Sequence, residues 1–197
     1  MLELESISKK FNSYIFEDFS YRFEENKIYF LKGNNGSGKT TLLKLIKGIY
    51  RYECGKISLN GLNQRDDIVF IDSNFRSFFH RLTVDQNLKY FYSIQNKKNN
   101  EYYPDNLLEL FNIKNLKNKK FSMLSQGQMQ MISLIRGLLS GAKIILLDEV
   151  FSSLDERNKK KLFNYLSSII LEKKTLIIFT SHETSHGNMD IKEICID

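Results

Sequence analysis

Short apolar runs separated by turn residues occupy the first third of the chain. The runs Leu2–Ile7, Phe19–Phe23, Ile28–Leu31 and Ile57–Leu59 have the length of strands and are rich in β-branched and aromatic residues. Turn signals such as Asn60-Gly61 interrupt them. This pattern predicts several short strands close to the amino terminus.

Helical spacing dominates the middle of the chain, and strands alternate with helices after it. Thr83-Val84-Asp85-Gln86 has the spacing of a capping box before a helix. Beyond it, predicted buried strands at Ile144–Leu147, Leu176–Phe179 and Ile191–Ile196 accompany an amphipathic helix at Leu154–Leu171. Strands that alternate with helices are typical of a parallel sheet covered on both faces. We therefore predict an α/β fold with a mostly parallel sheet and an inserted helical lobe.

Composition limits the class of protein. The chain has 197 residues, of which 42% are hydrophobic and 26% charged, with one proline. This is ordinary for a single globular domain and excludes collagen-like and proline-rich chains. The apolar runs are far shorter than the ~20 residues of a membrane-spanning helix, so no span is predicted.

Cysteine usage and net charge say less than composition does about the compartment and the partners of the protein. Cys54 and Cys195 lack metal-type spacing, and no secretory leader is visible, so a reducing, cytoplasmic setting is expected. The net charge of +6 is compatible with nucleic acid, an anionic membrane surface or a phosphate ligand. Lysine-rich solvated faces such as Lys159-Lys160-Lys161 are the preferred explanation of this charge.

A glycine-rich segment carries the strongest chemical signal. Gly33-Asn34-Asn35-Gly36-Ser37-Gly38-Lys39-Thr40 fits the phosphate-binding pattern G-x-x-x-x-G-K-[ST], directly between a predicted strand and a predicted helix. Its backbone N–H groups and the helix N-terminus favour an anion. Lys39 supplies charge for the β- and γ-phosphates, and the Thr40 hydroxyl is a candidate Mg²⁺ ligand. A plain glycine-rich turn that caps a helix is the simpler alternative.

Two acids follow the apolar run at Ile144–Leu147. Asp148 is a candidate Mg²⁺ ligand, and Glu149 is a candidate for polarising the attacking water. Alone, this pattern also fits a buried strand followed by a solvated turn. After a phosphate-binding loop, it indicates a nucleoside triphosphatase.

Three further motifs give the sequence a resemblance to a known family. Leu124-Ser125-Gln126-Gly127-Gln128 resembles the signature of ABC ATPases, Ser152-Ser153-Leu154-Asp155 resembles their D-loop, and Thr180-Ser181-His182 lies where they carry a switch histidine. In this order, the motifs resemble the nucleotide-binding domain of an ABC transporter. The resemblance implies a P-loop fold with an antiparallel β subdomain, a core at about 1–72 and 142–197, and a helical lobe at about 73–141.

The resemblance also implies a mechanism that depends on pairs of domains. ABC domains form head-to-tail dimers, in which each ATP lies between Gly33–Thr41 of one chain and the signature of the other. In that arrangement His182 would contact the γ-phosphate, and Asp155 would link the two sites. Each residue also has a local explanation, since Ser125 and Gln128 fit a capping box, Asp155 fits a helix N-cap and His182 fits a surface histidine.

Two positions are harder to assign. The resemblance implies an aromatic adenine platform about 22 residues before Gly33, where Phe11 stands; Tyr14 is the second choice, and a core aromatic is the structural alternative. The resemblance also places Asn74 at the position of the family's Gln-loop glutamine, with a side chain one methylene shorter. The predicted catalytic residues are Glu149, His182, Lys39 and Asn74. The predicted nucleotide-binding residues are Phe11, Gly33, Asn34, Asn35, Gly36, Ser37, Gly38, Lys39, Thr40, Thr41, Ser125, Gly127, Gln128 and Asp155. The predicted metal ligands are Thr40, Asp148 and Asn74.

The resulting prediction is an ATP-binding and ATP-hydrolysing subunit of an ABC transporter that uses ATP and Mg²⁺. It would drive a separate integral membrane permease from the inner face of the membrane, as an exporter of a peptide or small molecule. No nucleic-acid partner is expected. The alternatives are a soluble ABC ATPase acting on nucleic acid or ribosomes, and a module that binds ATP without hydrolysing it, against which Glu149 argues.

Overall fold

A computed structural model describes residues 2–94, 104–181 and 190–196. Its strands are β1 (Leu2–Lys10), β2 (Tyr14–Phe23), β3 (Ile28–Lys32), β4 (Cys54–Ser58), β5 (Ile68–Ile71), β6 (Ile144–Asp148), β7 (Leu176–Thr180) and β8 (Ile191–Cys195). Its α-helices are α1 (Lys39–Lys47), α2 (Val84–Ile94), α3 (Pro104–Leu110), α4 (Gln126–Leu139) and α5 (Glu156–Lys173).

The amino-terminal strands form a three-stranded antiparallel sheet in the order β2-β1-β4. β1 and β2 are longer than the apolar runs predict. Their added ends, at Ser8–Lys10 and Tyr14–Asp18, mix buried residues such as Lys9 and Phe16 with exposed ones. Pairing between the strands extends them there with only partial burial, which leaves no continuous apolar run.

The remaining strands form a five-stranded parallel sheet in the order β5-β6-β7-β3-β8. The strands β3, β6 and β7 are buried on both faces, which explains their uninterrupted apolar runs. The edge strand β8 is only partly buried, with Glu193 and Cys195 exposed, so the prediction of a buried strand at Ile191–Ile196 is wrong in its burial. In β6, Ile145 and Leu147 face a hydrophobic cluster shared with α4 and α5. The alternate residues Ile144 and Leu146 join a second cluster with α1 and the antiparallel sheet. The predicted α/β fold is confirmed.

The segment between β5 and β6 holds α2, α3 and α4, as the helical spacing predicts. Thr83 and Gln86 form the predicted capping box, with N–H to side-chain distances of 2.9 and 3.2 Å. Phe78 stacks on Phe121 with ring centroids 4.2 Å apart. These rings belong to the cluster that covers one face of the parallel sheet, so the helices pack directly on the core. Boundaries for a separate lobe at 73 and 141 stay a prediction.

None of the helices in the described ranges is long and apolar enough to cross a membrane.

Candidate functional site

The chemical groups predicted from two distant motifs meet at one edge of the parallel sheet. The glycine-rich loop follows β3, Asp148 ends β6, and Thr180 ends β7, which lies between them. Parallel strands place their carboxyl ends at a common edge, where α/β proteins bind ligands. The Thr40 hydroxyl donates a hydrogen bond of 2.9 Å to Asp148 Oδ1. The loop and the acid therefore form one site.

Two glycines give the loop its shape. Gly36 and Gly38 have φ angles of 85° and 100°, in the left-handed region that disfavours other residues. A Cβ atom on Gly38 would also lie 2.6 Å from Ile15 Cγ2 and 2.9 Å from Phe16 Cζ. The start of β2 therefore packs directly against the loop, and Gly38 is required by both conformation and contact.

Polar groups around the loop suit a triphosphate. Lys39 is buried, and its Nζ donates hydrogen bonds of 2.8 Å to the carbonyls of Gly33 and Asn34. Ser37 Oγ is buried and has no hydrogen-bond partner among the described residues. A hydroxyl donor and a lysine ammonium held this way match the oxygens of a phosphate. The side chains of Asn34 and Asn35 are exposed. The residues present fit ATP.

Thr41 lies in the first turn of α1 and is half-buried.

The two acids lie in different surroundings. Burial raises the pKa of the Asp148 carboxyl above its usual value, and hydrogen bonds from Thr180 and Thr40 oppose that shift. Glu149 adopts a φ of 54°, and its N–H donates to Thr180 Oγ1 at 2.9 Å. This left-handed backbone conformation follows the last residue of β6, Asp148.

The donor set at Thr40 and Asp148 is suited to magnesium. Mg²⁺ is commonly held by one or two protein oxygens together with substrate phosphates and water. Within residues 2–94, 104–181 and 190–196, no group of three or more His, Cys, Asp or Glu side chains could hold a metal alone. Thr40 and Asp148 would supply one or two protein oxygens to such an ion, with phosphate oxygens and water as the other ligands.

The signature motif begins α4, and its capping box is present. Ser125 Oγ accepts from the Gln128 N–H at 3.3 Å, and the Ser125 N–H donates to Gln128 Oε1 at 3.1 Å. Ser125 is exposed, and Gly127 and Gln128 are half-buried in the first helical turn. The predicted capping box of Ser125 and Gln128 is therefore confirmed. The N-terminus of α4 also lies at the surface, where a helix end favours binding of an anion.

Asp155 has the predicted local role. Its carboxylate caps α5, accepting hydrogen bonds from the Asn158 N–H at 2.8 Å and from Asn158 Nδ2 at 3.2 Å. A contribution to a site on a second chain stays a prediction.

The aromatic candidates are both at the surface. Phe11 and Tyr14 are each 53% exposed, so the alternative of a core aromatic at Phe11 is wrong. Phe11 meets Tyr50 edge-on at 5.6 Å, and Lys9 Nζ lies 4.9 Å above its ring. Lys10 Nζ lies 5.2 Å above the Tyr14 ring. Either ring can offer a face to a base, and the geometry leaves both candidates open.

The described contacts of Asn74 do not join it to the site. Asn74 is exposed, and its Oδ1 accepts from the Arg76 N–H at 3.1 Å. The N–H of Asn74 donates to Asp72 Oδ1 at 3.0 Å, so these two hydrogen bonds stabilise its own turn. His182 lies outside the described residues.

Sequence reasoning missed two residues near these groups. Thr180 hydrogen-bonds the Asp148 carboxylate and the Glu149 N–H, although the sequence motif marks it only as a neighbour of His182. Gln130 is buried in α4, and its amide donates to the Asp72 carbonyl at 3.5 Å, beside the turn that carries Asn74. The sequence does place Thr180 at the end of a buried strand and Gln130 on an apolar helix face, and either polar residue could have been noted for that reason. Their hydrogen-bond partners lie on other elements, so they cannot be identified without the strand order.

Known proteins resemble this chain over most of its length. The profile of the family described as "ABC transporter" matches residues 16–152. The sulfate/thiosulfate import ATP-binding protein CysA of Nephroselmis olivacea is 29% identical over 98% of this chain and 59% of its own length. The spermidine/putrescine import ATP-binding protein PotA of Haemophilus influenzae is 29% identical over 93% of this chain and 51% of its own. The chain thus spans between one half and three fifths of these two relatives.

Solved structures share the fold. An ABC transporter ATP-binding protein from Pyrococcus furiosus superposes with a TM-score of 0.82 at 29% identity, covering 99% of this chain and 96% of its own. A dimeric ATP-binding cassette in a post-hydrolysis state with ADP and phosphate superposes with a TM-score of 0.80 at 21% identity, covering 93% and 88%. The second supports the fold alone. The predicted family and fold are confirmed: the chain belongs to the ABC transporter family, as an ATP-binding domain.

Proposed function

We propose that this chain is the ATP-hydrolysing subunit of an ABC transporter and drives a separate integral membrane permease. The hydrogen bond between Thr40 and Asp148 carries the proposal, because it joins the triphosphate loop to the acid that follows β6. A glycine-rich turn that merely caps a helix would not require this contact. The family membership supplies the transport context.

Each residue of the site has a separate proposed role in binding or hydrolysing ATP. The loop from Gly33 to Thr41 would bind the triphosphate, with Lys39 exchanging its present carbonyl partners for phosphate oxygens. Thr40 and Asp148 would hold Mg²⁺, which supplies neutralisation of phosphate charge. Glu149 would orient and polarise the attacking water. Asn74 would contribute to the metal or the water only after giving up its bond to the Arg76 N–H.

The two helix ends that suit anions support a head-to-tail dimer. The N-terminus of α1 belongs to the loop, and the capped N-terminus of α4 lies at the surface with Ser125 exposed. A γ-phosphate held between the loop of one chain and Ser125, Gly127 and Gln128 of another would join two chains through ATP. His182 and Asp155 keep their proposed places next to the γ-phosphate and between the two sites.

The direction of transport differs from the sequence-based prediction. The named relatives are import ATP-binding proteins for sulfate or thiosulfate and for spermidine or putrescine. These names favour import over the predicted export of a peptide, and we propose an importer subunit. The transported substrate would be selected by the membrane partner.

An aromatic surface on the helical segment is the proposed contact with that partner. Phe79 and Tyr90 are 43% and 44% exposed, with ring centroids 4.8 Å apart. Exposed paired aromatics are enriched in protein interfaces. Phe78, the residue before Phe79, is buried and stacks on Phe121, so it belongs to the core and not to this surface.

Two measurements test the proposal. Glu149→Gln should abolish ATP turnover while retaining ATP binding, and ATP should then convert the variant from monomer to dimer in size-exclusion chromatography with light scattering. Normal turnover in this variant would contradict the role of Glu149. Affinity capture from detergent-solubilised membranes should recover an integral membrane protein. Capture of ribosomes or DNA instead would favour the alternative of a soluble ABC ATPase.

A further inference from the structure

Thr180 occupies the centre of the candidate site although none of the family motifs assigns it a role here. It is the last residue of β7, fully buried, and its strand lies between β6 and β3. Its backbone is in register with Asp148 on one side and with Leu31 on the other. The residue therefore stands between the strand that carries the acids and the strand that leads to the glycine-rich loop.

A single hydroxyl group connects both acids. Thr180 Oγ1 donates to Asp148 Oδ1 at 2.9 Å and accepts from the Glu149 N–H at 2.9 Å. Since a hydroxyl has one hydrogen to donate, these two bonds fix its orientation. Thr40 donates to the same oxygen, Asp148 Oδ1, at 2.9 Å. Neither of these hydroxyl donors uses the second carboxylate oxygen, Oδ2.

We infer that Thr180 is a positioning residue, which holds the Asp148 carboxylate and the Glu149 backbone in the arrangement needed to bind a divalent cation with ATP and to hydrolyse it. The inference rests on the proposed function. The hydroxyl restrains Asp148 by one bond, and by the other it stabilises the left-handed backbone of Glu149 at φ 54°. Hydrogen-bond partners of metal ligands orient those ligands, and their loss commonly costs 10–100-fold in metal affinity or activity.

A purely structural role predicts a different outcome. If Thr180 only satisfies buried polar groups, its removal lowers the stability of the fold and leaves the bound metal and the rate per folded molecule unchanged. If it positions the acids, removal of the hydroxyl affects cation affinity and kcat beyond any effect on stability. Measurement on folded protein separates the two roles.

The comparison uses variants of nearly equal size. Thr180→Val removes the hydroxyl and keeps the branched shape, and Thr180→Ser keeps the hydroxyl. Thr175→Val is the matched control, because Thr175 is also buried and immediately precedes the same strand at its opposite end. If valine at 180 prevents folding, Thr180→Cys replaces it, because a thiol is only a weak donor.

Mn²⁺ with ATP is the probe, observed by electron paramagnetic resonance alongside steady-state ATP hydrolysis. Thr180→Val should weaken Mn²⁺ binding in the presence of ATP and lower kcat, each about 10–100-fold, with a smaller change in KM for ATP. Thr180→Ser and Thr175→Val should stay within about threefold of the unaltered protein. Unchanged Mn²⁺ affinity and kcat in Thr180→Val, or equal losses in the valine and serine variants, would overturn the inference while leaving the proposed function intact.

A different experimental result would contradict the proposed function itself. Unaltered protein that binds neither ATP nor Mn²⁺ with ATP would overturn both the function and the inference. The Mn²⁺ measurement needs binding only, so it decides the inference even if hydrolysis depends on the membrane partner.

Discussion

Replacement of Gly33 with alanine should destabilise the protein even in the absence of nucleotide. A Cβ atom at this position would lie 2.2 Å from the carbonyl oxygen of Ile196 and 2.6 Å from Ser37 Oγ. The Ile196 carbonyl would have to retreat by about 0.8 Å to reach the 3.0 Å below which Cβ contacts essentially never occur. The φ angle of Gly33 does not lie in the left-handed region, so the destabilisation by alanine comes from steric contact and not from backbone strain.

The magnitude follows from what must move. Ile196 follows the edge strand β8, and its N–H donates to the Lys32 carbonyl at 2.7 Å. Its displacement weakens a hydrogen bond worth about 1 kcal/mol, within an overpacking cost of about 1–3 kcal/mol. For a domain of this size, 1 kcal/mol lowers Tm by roughly 2–4 °C, so Gly33→Ala should lower it by about 2–12 °C.

Thermal unfolding and hydrogen exchange together check this reasoning. In Gly33→Ala, backbone amides of β8 (Ile191–Cys195) should exchange faster than in the unaltered protein. Gly61→Ala is the matched control, because its Cβ meets nothing within 4 Å while its φ of 83° still imposes strain. The control should lose some stability and leave exchange in β8 unchanged. An unaltered Tm with unaltered exchange in Gly33→Ala would refute the reasoning and leave nucleotide binding as the reason for this glycine.

Three further changes have defined outcomes. Asp155→Ala should lower the free energy of unfolding by about 1 kcal/mol through loss of the α5 cap, whereas Asp155→Asn should keep it; denaturant titration measures both, and equal loss would contradict the capping role. Asp148→Asn should raise the Tm of the nucleotide-free protein at neutral pH, because burial raises the pKa of this carboxyl in the folded protein. As pH rises from the unfolded-state pKa through the folded-state pKa, the charged carboxylate therefore lowers the free energy of unfolding, and the neutral amide does not. A lower Tm would show that the carboxylate stabilises the site. Phe11→Ala should weaken ATP and GTP binding alike in calorimetry while Tyr14→Ala has little effect, and the reverse result would make Tyr14 the platform.

Much of the fold could be predicted because the central strands of the parallel sheet, β3, β6 and β7, are buried on both faces. Continuous apolar runs such as Ile144–Leu147 mark these strands, and this one was located nearly to the residue. The partly exposed ends of β1 and β2 were missed because strand pairing extends them without a continuous apolar run. The order of strands in the sheet leaves no periodicity in the sequence, so it could not be predicted from the pattern.

The sequence by itself determined the groups whose geometry is local. The loop from Gly33 to Thr40 lies within eight consecutive residues, and the caps at Ser125 and Asp155 use side chains three residues from their partners. Backbone conformation and nearest neighbours suffice for such structures, and the residue types reveal them directly.

Only the tertiary structure decided which distant groups touch. Thr40 reaches Asp148 across 108 positions of sequence, and Thr180 reaches it across 32. Gly33 is confined by Ile196, near the other end of the chain. These contacts arise because β7 lies between β6 and β3, with β8 beyond. The strand order follows from how the whole core packs, and no short segment of the chain contains that information.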